Sequence, residues 1–500
     1  MALVATNSFA ADQYIVRVPA NIQVAPAPEV TPPADPLSVI LAAYSLPSGT
    51  VGQPYGPFDL FSVLSISETG YGMSDVSWSL KLGASLPPGL SLTTDGKISG
   101  TPTTKNETGK DFEVLASYKD ASGQQTYTIV VNGVTMTFSQ ISSGGYDSNG
   151  FTCGITPAGA AWCWGNNAYG QLGINNKLQM KVPARVVNME SGVTQISAGF
   201  QHVCAVKGGE AFCWGRNYKG QLGDGTQTDR STPVKVTNID STIIQVSAGQ
   251  AGTNAHSCAV SDNGKAWCWG DNYFGQLGLG HNLARTVPML VSNLVNPTRI
   301  AAGAMHTCAI DSGAVKCWGN NTSFGLLGNN SALDVHYPVS SSGLDTGVVD
   351  IHAGAQHTCA LNNGGAVYCW GSDSYGQIGD DATLAAKRVP TLVSGLESGV
   401  QSISAGLHMS CAIKGGELFC WGRNGSGTIG DGTTSTSKPV PTKASFNEAV
   451  TDITIGAVHA CAMTSAGKNY CWGSNNNGQF GQATPVSSTS PVEVQYDLAL

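Results

Sequence analysis

The tripeptide Cys-Trp-Gly recurs seven times, with its cysteine at Cys163, Cys213, Cys268, Cys317, Cys369, Cys420 and Cys471. The spacings are 50, 55, 49, 52, 51 and 51 residues, and so regular a period defines a structural repeat. Each tripeptide keeps the same neighbours. An upstream cysteine precedes it by eight or nine intervening residues, as Cys204 precedes Cys213, and a run such as Gly220-Gln221-Leu222-Gly223 follows it. Each unit closes on a Pro-Val-like strand (Pro233, Val234, Val236), and the next opens on a small-residue strand (Val246, Ser247, Ala248, Gly249). One unit therefore reads as four short strands.

The cysteines fix the central hairpin of each unit. Where eight residues separate them, the midpoint falls on a two-residue turn: Gly208-Gly209, Ser312-Gly313 or Gly415-Gly416. Where nine separate them, a three-residue turn ends in Gly159, Gly264, Gly365 or Gly467. Two-residue hairpin loops need positive φ, and three-residue loops place glycine in the left-handed position, so turn length and glycine agree throughout. The two cysteines of a unit then lie directly opposite, on a non-hydrogen-bonded site where Cα atoms approach to within disulfide range. The expected bonds are Cys153 with Cys163, Cys204 with Cys213, Cys258 with Cys268, Cys308 with Cys317, Cys359 with Cys369, Cys411 with Cys420, and Cys461 with Cys471. Closing so small a ring contributes roughly 2 to 3 kcal/mol per bond. All 14 cysteines fall in the repeats, two per unit, which points to an oxidising compartment.

Composition excludes several functional classes. The formal net charge is -8 and no basic run occurs, so phosphate contacts of the kind nucleic-acid binding requires are not expected. No stretch of about 18 apolar residues suggests a membrane span. No Cys-x-x-Cys pair, nucleophile elbow, phosphate loop or zinc helix is present, nor a carboxylate pair outside the repeat pattern. No enzyme activity, cofactor, metal or catalytic set is expected.

Residues 1–10 read as the end of a signal peptide, with small Ser8 and Ala10 after an apolar run but without a basic leader. Residues 11–36 hold Pro26, Pro28, Pro32, Pro33 and Pro36 and suit an extended spacer. Residues 37–135 lack cysteine, and their strand-length runs, such as Val76, Trp78 and Leu80 alternating with Ser77 and Ser79, are broken by Pro and Gly, as in a β-sandwich. The stretches Leu86-Pro87-Pro88-Gly89-Leu90-Ser91-Leu92, Gly96-Lys97-Ile98-Ser99-Gly100-Thr101-Pro102 and Gly49-Thr50-Val51-Gly52-Gln53-Pro54-Tyr55 resemble the immunoglobulin-like, cadherin-like domains of bacterial surface and secreted proteins. The resemblance implies a spacer or adhesive module.

Residues 138–496 hold the seven units. Radial repetition buries both faces of a small sheet between its neighbours, so an all-β chain with a seven-bladed propeller of four-stranded blades behind the sandwich is expected. Each blade is expected to be one continuous segment. The units resemble the regulator of chromosome condensation family of seven-bladed propellers. The Ala353-Gly354…His357…Cys359-Ala360 run, the Cys-Trp-Gly run and the Gly-Gln-Leu-Gly run carry the likeness. That family serves as exchange factors, inhibitors and binding modules, so the resemblance implies fold more strongly than function.

The six histidines just before the first cysteines, His202, His256, His306, His357, His408 and His459, recur at one structural place, although unit one has Phe151 there and His408 is shifted by one residue. They read as hydrogen-bonding struts, and the repeat tryptophans as blade packing. Partner contacts are expected where the loops after strands one and three open on a common face. Longer loops there carry Tyr146, Asp147 and Asn149, and Thr253 and Asn254. Aromatics after strand three are Tyr169, Tyr218, Tyr273, Phe274, Phe324 and Tyr375, with none in units six and seven. Rigid aromatics can anchor an interface.

The expectation is a secreted, periplasmic or surface-displayed bacterial binding protein, adhesin-like, engaging a protein or glycan. It would be displayed by a larger surface assembly, with the sandwich as spacer. A soluble inhibitor of an extracellular enzyme such as a β-lactamase is the alternative, and an enzyme or intracellular exchange factor fits least. Thiol titration of the unfolded, unreduced chain should find none of the 14 cysteines reactive; several reactive thiols would remove both the pairing and the export argument.

Overall fold

In the computed structural model, which describes residues 36–133, 136–146, 149–250, 252, 254–382, 384–482 and 486–494, every cysteine is bonded to its partner across the hairpin. The seven disulfides join the seven expected pairs, and the bonded residues are directly opposite in the strand register. Gly208 and Gly209 have φ of 59° and 78°, and Ser312 and Gly313 have 56° and 82°, the doubly left-handed turn that closes a two-residue hairpin with the strand twist. Residues 1–10, and the proline-rich segment after them as far as residue 35, lie outside the described residues.

Each blade is four consecutive antiparallel strands in sequence order. Blade 1 comprises Gln140–Gly144, Phe151–Ile155, Ala161–Gly165 and Met180–Arg185. Blade 7 comprises Val450–Ile455, His459–Thr464, Asn469–Ser474 and Ser487–Glu493. The last of these pairs with Asn469–Ser474 of its own blade, so each blade is a continuous segment, as the unit count predicts. The first strand of every blade lines the central axis. The second and third strands are buried along their length in blade 1, whereas fourth strands such as Arg230–Lys235 are half-exposed. Alternation sends the disulfide to one face and the tryptophan to the other, so both faces are core.

At every junction between blades one backbone carbonyl takes the same donor. The indole Nε1 of each repeat tryptophan donates to the residue after the first glycine of the preceding blade's Gly-Gln-Leu-Gly run. Trp214 reaches the Gln171 carbonyl at 2.9 Å, Trp269 the Gln221 carbonyl at 2.9 Å and Trp472 the Thr428 carbonyl at 2.7 Å. Trp318, Trp370 and Trp421 repeat the bond, and Trp164 closes the ring on Gln479. The run needs its second glycine because a Cβ at Gly223 would lie 2.8 Å from the Trp269 indole nitrogen.

The histidines bond into the same junction. His202 Nε2 lies 2.9 Å from Ser257 Oγ, and Ser257 Oγ donates to the Gln221 carbonyl at 2.8 Å. Since the hydroxyl's proton goes to the carbonyl, Nε2 is the donor. His256 with Thr307, His306 with Thr358, His357 with Ser410 and His459 with Thr152 repeat the pair. The two remaining junctions lack both members: Phe151 faces the blade that carries Val203, and Met409 the blade that carries Ala460. Donor and acceptor are thus kept or lost together, as burial demands. His408, displaced by one residue, instead packs its ring 5.1 Å from that of Tyr375.

The N-terminal residues form a second core. Ala121–Asn132 and Asn106–Tyr118 pair at the centre of a four-stranded sheet, flanked by Gly49–Thr50 and Ser77–Leu80. A three-stranded sheet holds Tyr55–Asp59, Lys97–Gly100 and Leu90–Leu92. Leu60, Ile98, Val114, Ile129 and Val131 are wholly buried between them. The Pro-Pro-Gly-Leu and Ser-Gly-Thr-Pro stretches meet backbone to backbone. Thr101 N–H donates to the Gly89 carbonyl at 3.0 Å, and a Cβ at Gly89 would fall 2.0 Å from the Thr101 oxygen.

Burial depresses the junction histidines to about 4 for His256 and about 3 for His202, His306, His357 and His459. The unfolded chain, titrating near 6.5, binds protons that the folded chain refuses. Stability is therefore complete above pH 6.5 and falls on acidification toward about 3, by ~1.4 kcal/mol per imidazole per pH unit. Denaturant midpoints between pH 7 and 4, followed by tryptophan fluorescence, should show that fall. At one junction, Thr152→Val should cost ~1–3 kcal/mol by stranding the His459 donor. The pair Thr152→Val/His459→Phe, which copies the apolar junction of Phe151 and Val203, should recover more than half of that loss.

Candidate functional site: the loop face

The loops after the first and third strands meet on one face, and in blades 1 to 3 they interlock. Tyr146 stacks on Phe200 with ring centroids 4.8 Å apart. Gly252 lies against Phe200, where a Cβ would approach the ring to 2.6 Å. Tyr218 donates its hydroxyl to the Gly252 carbonyl at 3.0 Å. The Arg216 guanidinium sits over both Tyr169 and Tyr218, 4.7 and 4.2 Å from their centroids, and donates to the Gln201 side chain and, at 3.4 Å, to the Gly252 carbonyl. Three blades thus share one arginine-centred aromatic cluster. Planar guanidinium stacking of this kind holds the rings rigid.

Beside the cluster, Lys219 pairs at 3.0 Å with Asp271, whose side chain is buried. Asp271 also accepts from Gln276 at 3.0 Å and from the backbone of Tyr273 at 3.3 Å, and the Asn254 carbonyl accepts from Gln276 at 3.4 Å. Tyr273 is 70% exposed and stands edge-on to Phe274 at 4.9 Å. Asn149 is exposed, its N–H closing a turn on the Tyr146 carbonyl at 2.8 Å. Asp147 and Thr253 lie outside the described residues.

The remaining sequence candidates do not join this cluster. Phe324 is half-buried in blade 4. Tyr375 belongs to a second, smaller group between blades 5 and 6, with Arg423 5.5 Å over its ring and His408 beside it. The sequence reading overlooked Phe200, Gln201, Arg216 and Arg423. The two arginines had a signal, because only units two and six continue Cys-Trp-Gly with arginine.

A second missed feature is a ring of aliphatic side chains. Leu178, Leu283, Leu333, Leu384 and Val486 occupy equivalent places in the loop after the third strand, 15 or 16 residues beyond the Cys-Trp-Gly cysteine. All are between 51 and 70% exposed. Thr228 and Ser435 take the place in blades 2 and 6. A buried asparagine pins these loops: Asn167 Nδ2 donates to the Leu178 carbonyl at 2.9 Å, and Asn272 Nδ2 to the Leu283 carbonyl at 3.1 Å. In blade 5 the asparagine is Asp373, whose carboxyl burial pushes up to about 6.

Comparison with known proteins bears on this geometry. The RCC1-like domain family matches residues 240–499, and the regulator of chromosome condensation (RCC1) repeat matches 158–206 and 208–260. A second form of that repeat matches 138–171 and 193–221, and the He_PIG family of Ig domains matches 27–132. The E3 ubiquitin-protein ligase HERC2 of Homo sapiens is 32% identical over 225 residues, 43% of this chain and 5% of HERC2. The ultraviolet-B receptor UVR8 of Arabidopsis thaliana is 32% identical over 250 residues, 48% of this chain and 56% of UVR8. The chain therefore spans less than two thirds of these relatives. Prp20p of Saccharomyces cerevisiae superposes with a TM-score of 0.59 at 23% identity, over 68% of this chain and 86% of its own. Human WBSCR16 does so with 0.58 at 24% identity, over 68% and 89%. These structural likenesses establish the propeller fold.

Proposed function

The chain belongs to the RCC1-like domain family, and on that premise we propose that it is an exported, adhesin-like binding protein that holds a protein partner on the loop face of its propeller. The observation that carries this reading is the arginine-centred cluster of blades 1 to 3. Rigid aromatics with exposed edges, Tyr146 and Tyr273, border it, and the pinned aliphatic ring lies in loops of the same class. Exposed apolar groups held in place by hydrogen bonds cost solubility unless a partner covers them. Tyrosine and arginine are the side chains that concentrate binding energy at interfaces.

Use of the fold for protein binding has precedent: Prp20p is described by its binding to Gsp1p and histones. The ligase activity in HERC2's name belongs to a chain of which 5% is spanned, and it is not carried over. Seven disulfides support an oxidising, extracytoplasmic setting. No helix among the described residues is long and apolar enough to cross a membrane. The immunoglobulin-like unit then serves as a spacer. An inhibitor of an extracellular enzyme would use the same face.

The partner can be captured by cross-linking the oxidised full-length chain to a cell-surface extract. Tyr273→Ala, which removes the most exposed ring, should weaken binding by about thirtyfold or more, a hot-spot loss, with the thermal midpoint unchanged; Tyr146→Ala should weaken binding too, with a small drop in midpoint from the lost stack on Phe200. Tyr218→Ala should lower the midpoint as well, because that ring is built into the arginine stack. Full affinity in both of the first two variants would remove the loop face as the binding surface.

A further inference from the structure

The seven first strands enclose an axial channel of about 810 Å³. On the side of blades 1 to 3 each wall strand is tied to the next by its own side chains. Gln140 accepts from Ile196 N–H at 3.0 Å and donates to its carbonyl at 3.3 Å, and Gln195 does the same to Val246 at 3.0 and 3.2 Å. Ser142 and Ser197 accept from Ala198 and Ala248 at 2.9 and 3.0 Å. Blades 4 to 7 replace the glutamine with Arg299, Asp350, Ser402 and Asp452. The two aspartates are the carboxylate pair that the repeat does not explain, which the sequence reading had not separated from the pattern.

Their surroundings differ. Arg299 Nε lies 3.6 Å from one oxygen of Asp350 and His352 Nε2 3.5 Å from the other. Burial raises Asp350, yet these two bases outweigh it and hold the carboxyl below its usual value. Asp452 accepts from the N–H of its own neighbour Ile453 at 2.9 Å and forms no ion pair among the described residues. Its wall neighbours are Ser402 and Ser404 of blade 6 and Gln140 and Ser142 of blade 1. Burial pushes it up to about 6, against the pull of Ile453 N–H and His352, with Asp350 adding to the push. A serine or asparagine would cap Ile453 without the cost of desolvating a carboxylate. The wall thus sets one arginine against two aspartates, and that arginine lies against Asp350.

We propose that the channel is a binding site for a linear organic cation, an ammonium or guanidinium on an alkyl stem, which sets its charge against Asp452 and Ser402 and lays its stem along Ile244 and Val349. The last two side chains line the channel and are about half exposed within it. No three His, Cys, Asp or Glu groups among the described residues converge as metal ligands would, so the chemistry favours an organic cation over a metal ion. The site is on the axis and separate from the loop face, and its failure would leave that reading intact.

The test is calorimetric titration of the oxidised full-length chain with 1,4-diaminobutane and, separately, with N-acetyl-arginine amide, using 1-butanol as the neutral control. One-to-one binding is expected at pH 7.5, at least tenfold weaker in Asp452→Asn. The cation needs the ionised carboxylate, so affinity should fall as pH drops through 6, about tenfold by pH 5, where a group titrating near 6 is about nine-tenths protonated. Asp452→Ser copies the residue that blade 6 already carries there, and it should lose binding while keeping or raising the thermal midpoint. Tighter binding of the diamine would identify a free polyamine as the ligand class; tighter binding of the arginine amide would identify a projecting side chain of a protein partner. No saturable heat with either probe up to about 10 mM, or unchanged affinity in Asp452→Asn, would overturn the proposal.

Discussion

The propeller depends on one backbone carbonyl per blade. That oxygen, in the Gly-Gln-Leu-Gly run, has two lone pairs and two donors from the next blade: the indole N–H in all seven junctions, and a hydroxyl in four of them. The disulfides staple each hairpin within its own blade and tie no blade to another. The carbonyl does the complementary task, fixing the stagger of neighbouring sheets while tryptophan supplies the apolar area between them. An unsatisfied carbonyl or indole at that depth would cost about as much as the contact contributes, so the junction is all or none. This explains why tryptophan and glycine recur in every unit, while the hydroxyl appears only where a histidine faces it.

Sevenfold repetition also sets a background against which function stands out. A side chain that appears in every blade serves the ring, and one that departs from the pattern has to be accounted for locally. The junction histidines, present in five of the seven blades, are neutral and buried and serve the ring wherever a hydroxyl faces them. Arg216, Asp373 and Asp452 belong to the second. Each places a charge where sister blades have a neutral polar group or a different residue, and each meets a consequence that the neutral residue avoids. Arg216 spreads its charge over two tyrosine faces. Asp373 and Asp452 are pushed toward neutrality by burial.

Rigidity unites the two candidate surfaces. The loop face is built from aromatic rings held by cation–π stacking and from loops pinned by buried asparagines. The channel wall is built from strands locked by glutamines and serines through blades 1 to 3, by the Arg299–Asp350 pair between blades 4 and 5, and by Thr454 accepting from Ser143 N–H where the ring closes. A partner or ligand meeting such surfaces loses little of its binding energy to ordering the protein.

The sequence alone determined the local geometry of the repeat. Cysteine spacing and glycine position fix the hairpin turn and register, and from them follow the seven bonds, the burial of both sheet faces and the ring of four-stranded blades. These depend on contacts within about a dozen residues of chain, where spacing translates directly into position. Tertiary structure decided what lies across blades. That Tyr146 stacks on Phe200, that Arg216 reaches back over Tyr169, and that Thr152 meets His459 are contacts between residues tens to hundreds of positions apart. Their existence depends on the stagger between sheets, which no single unit encodes. The same holds for the channel: Gln140 and Asp452 occupy equivalent places in their units, but Gln140 ties its strand to the next blade, whereas Asp452, half-buried, presents a carboxyl to a channel that only closure of the ring creates.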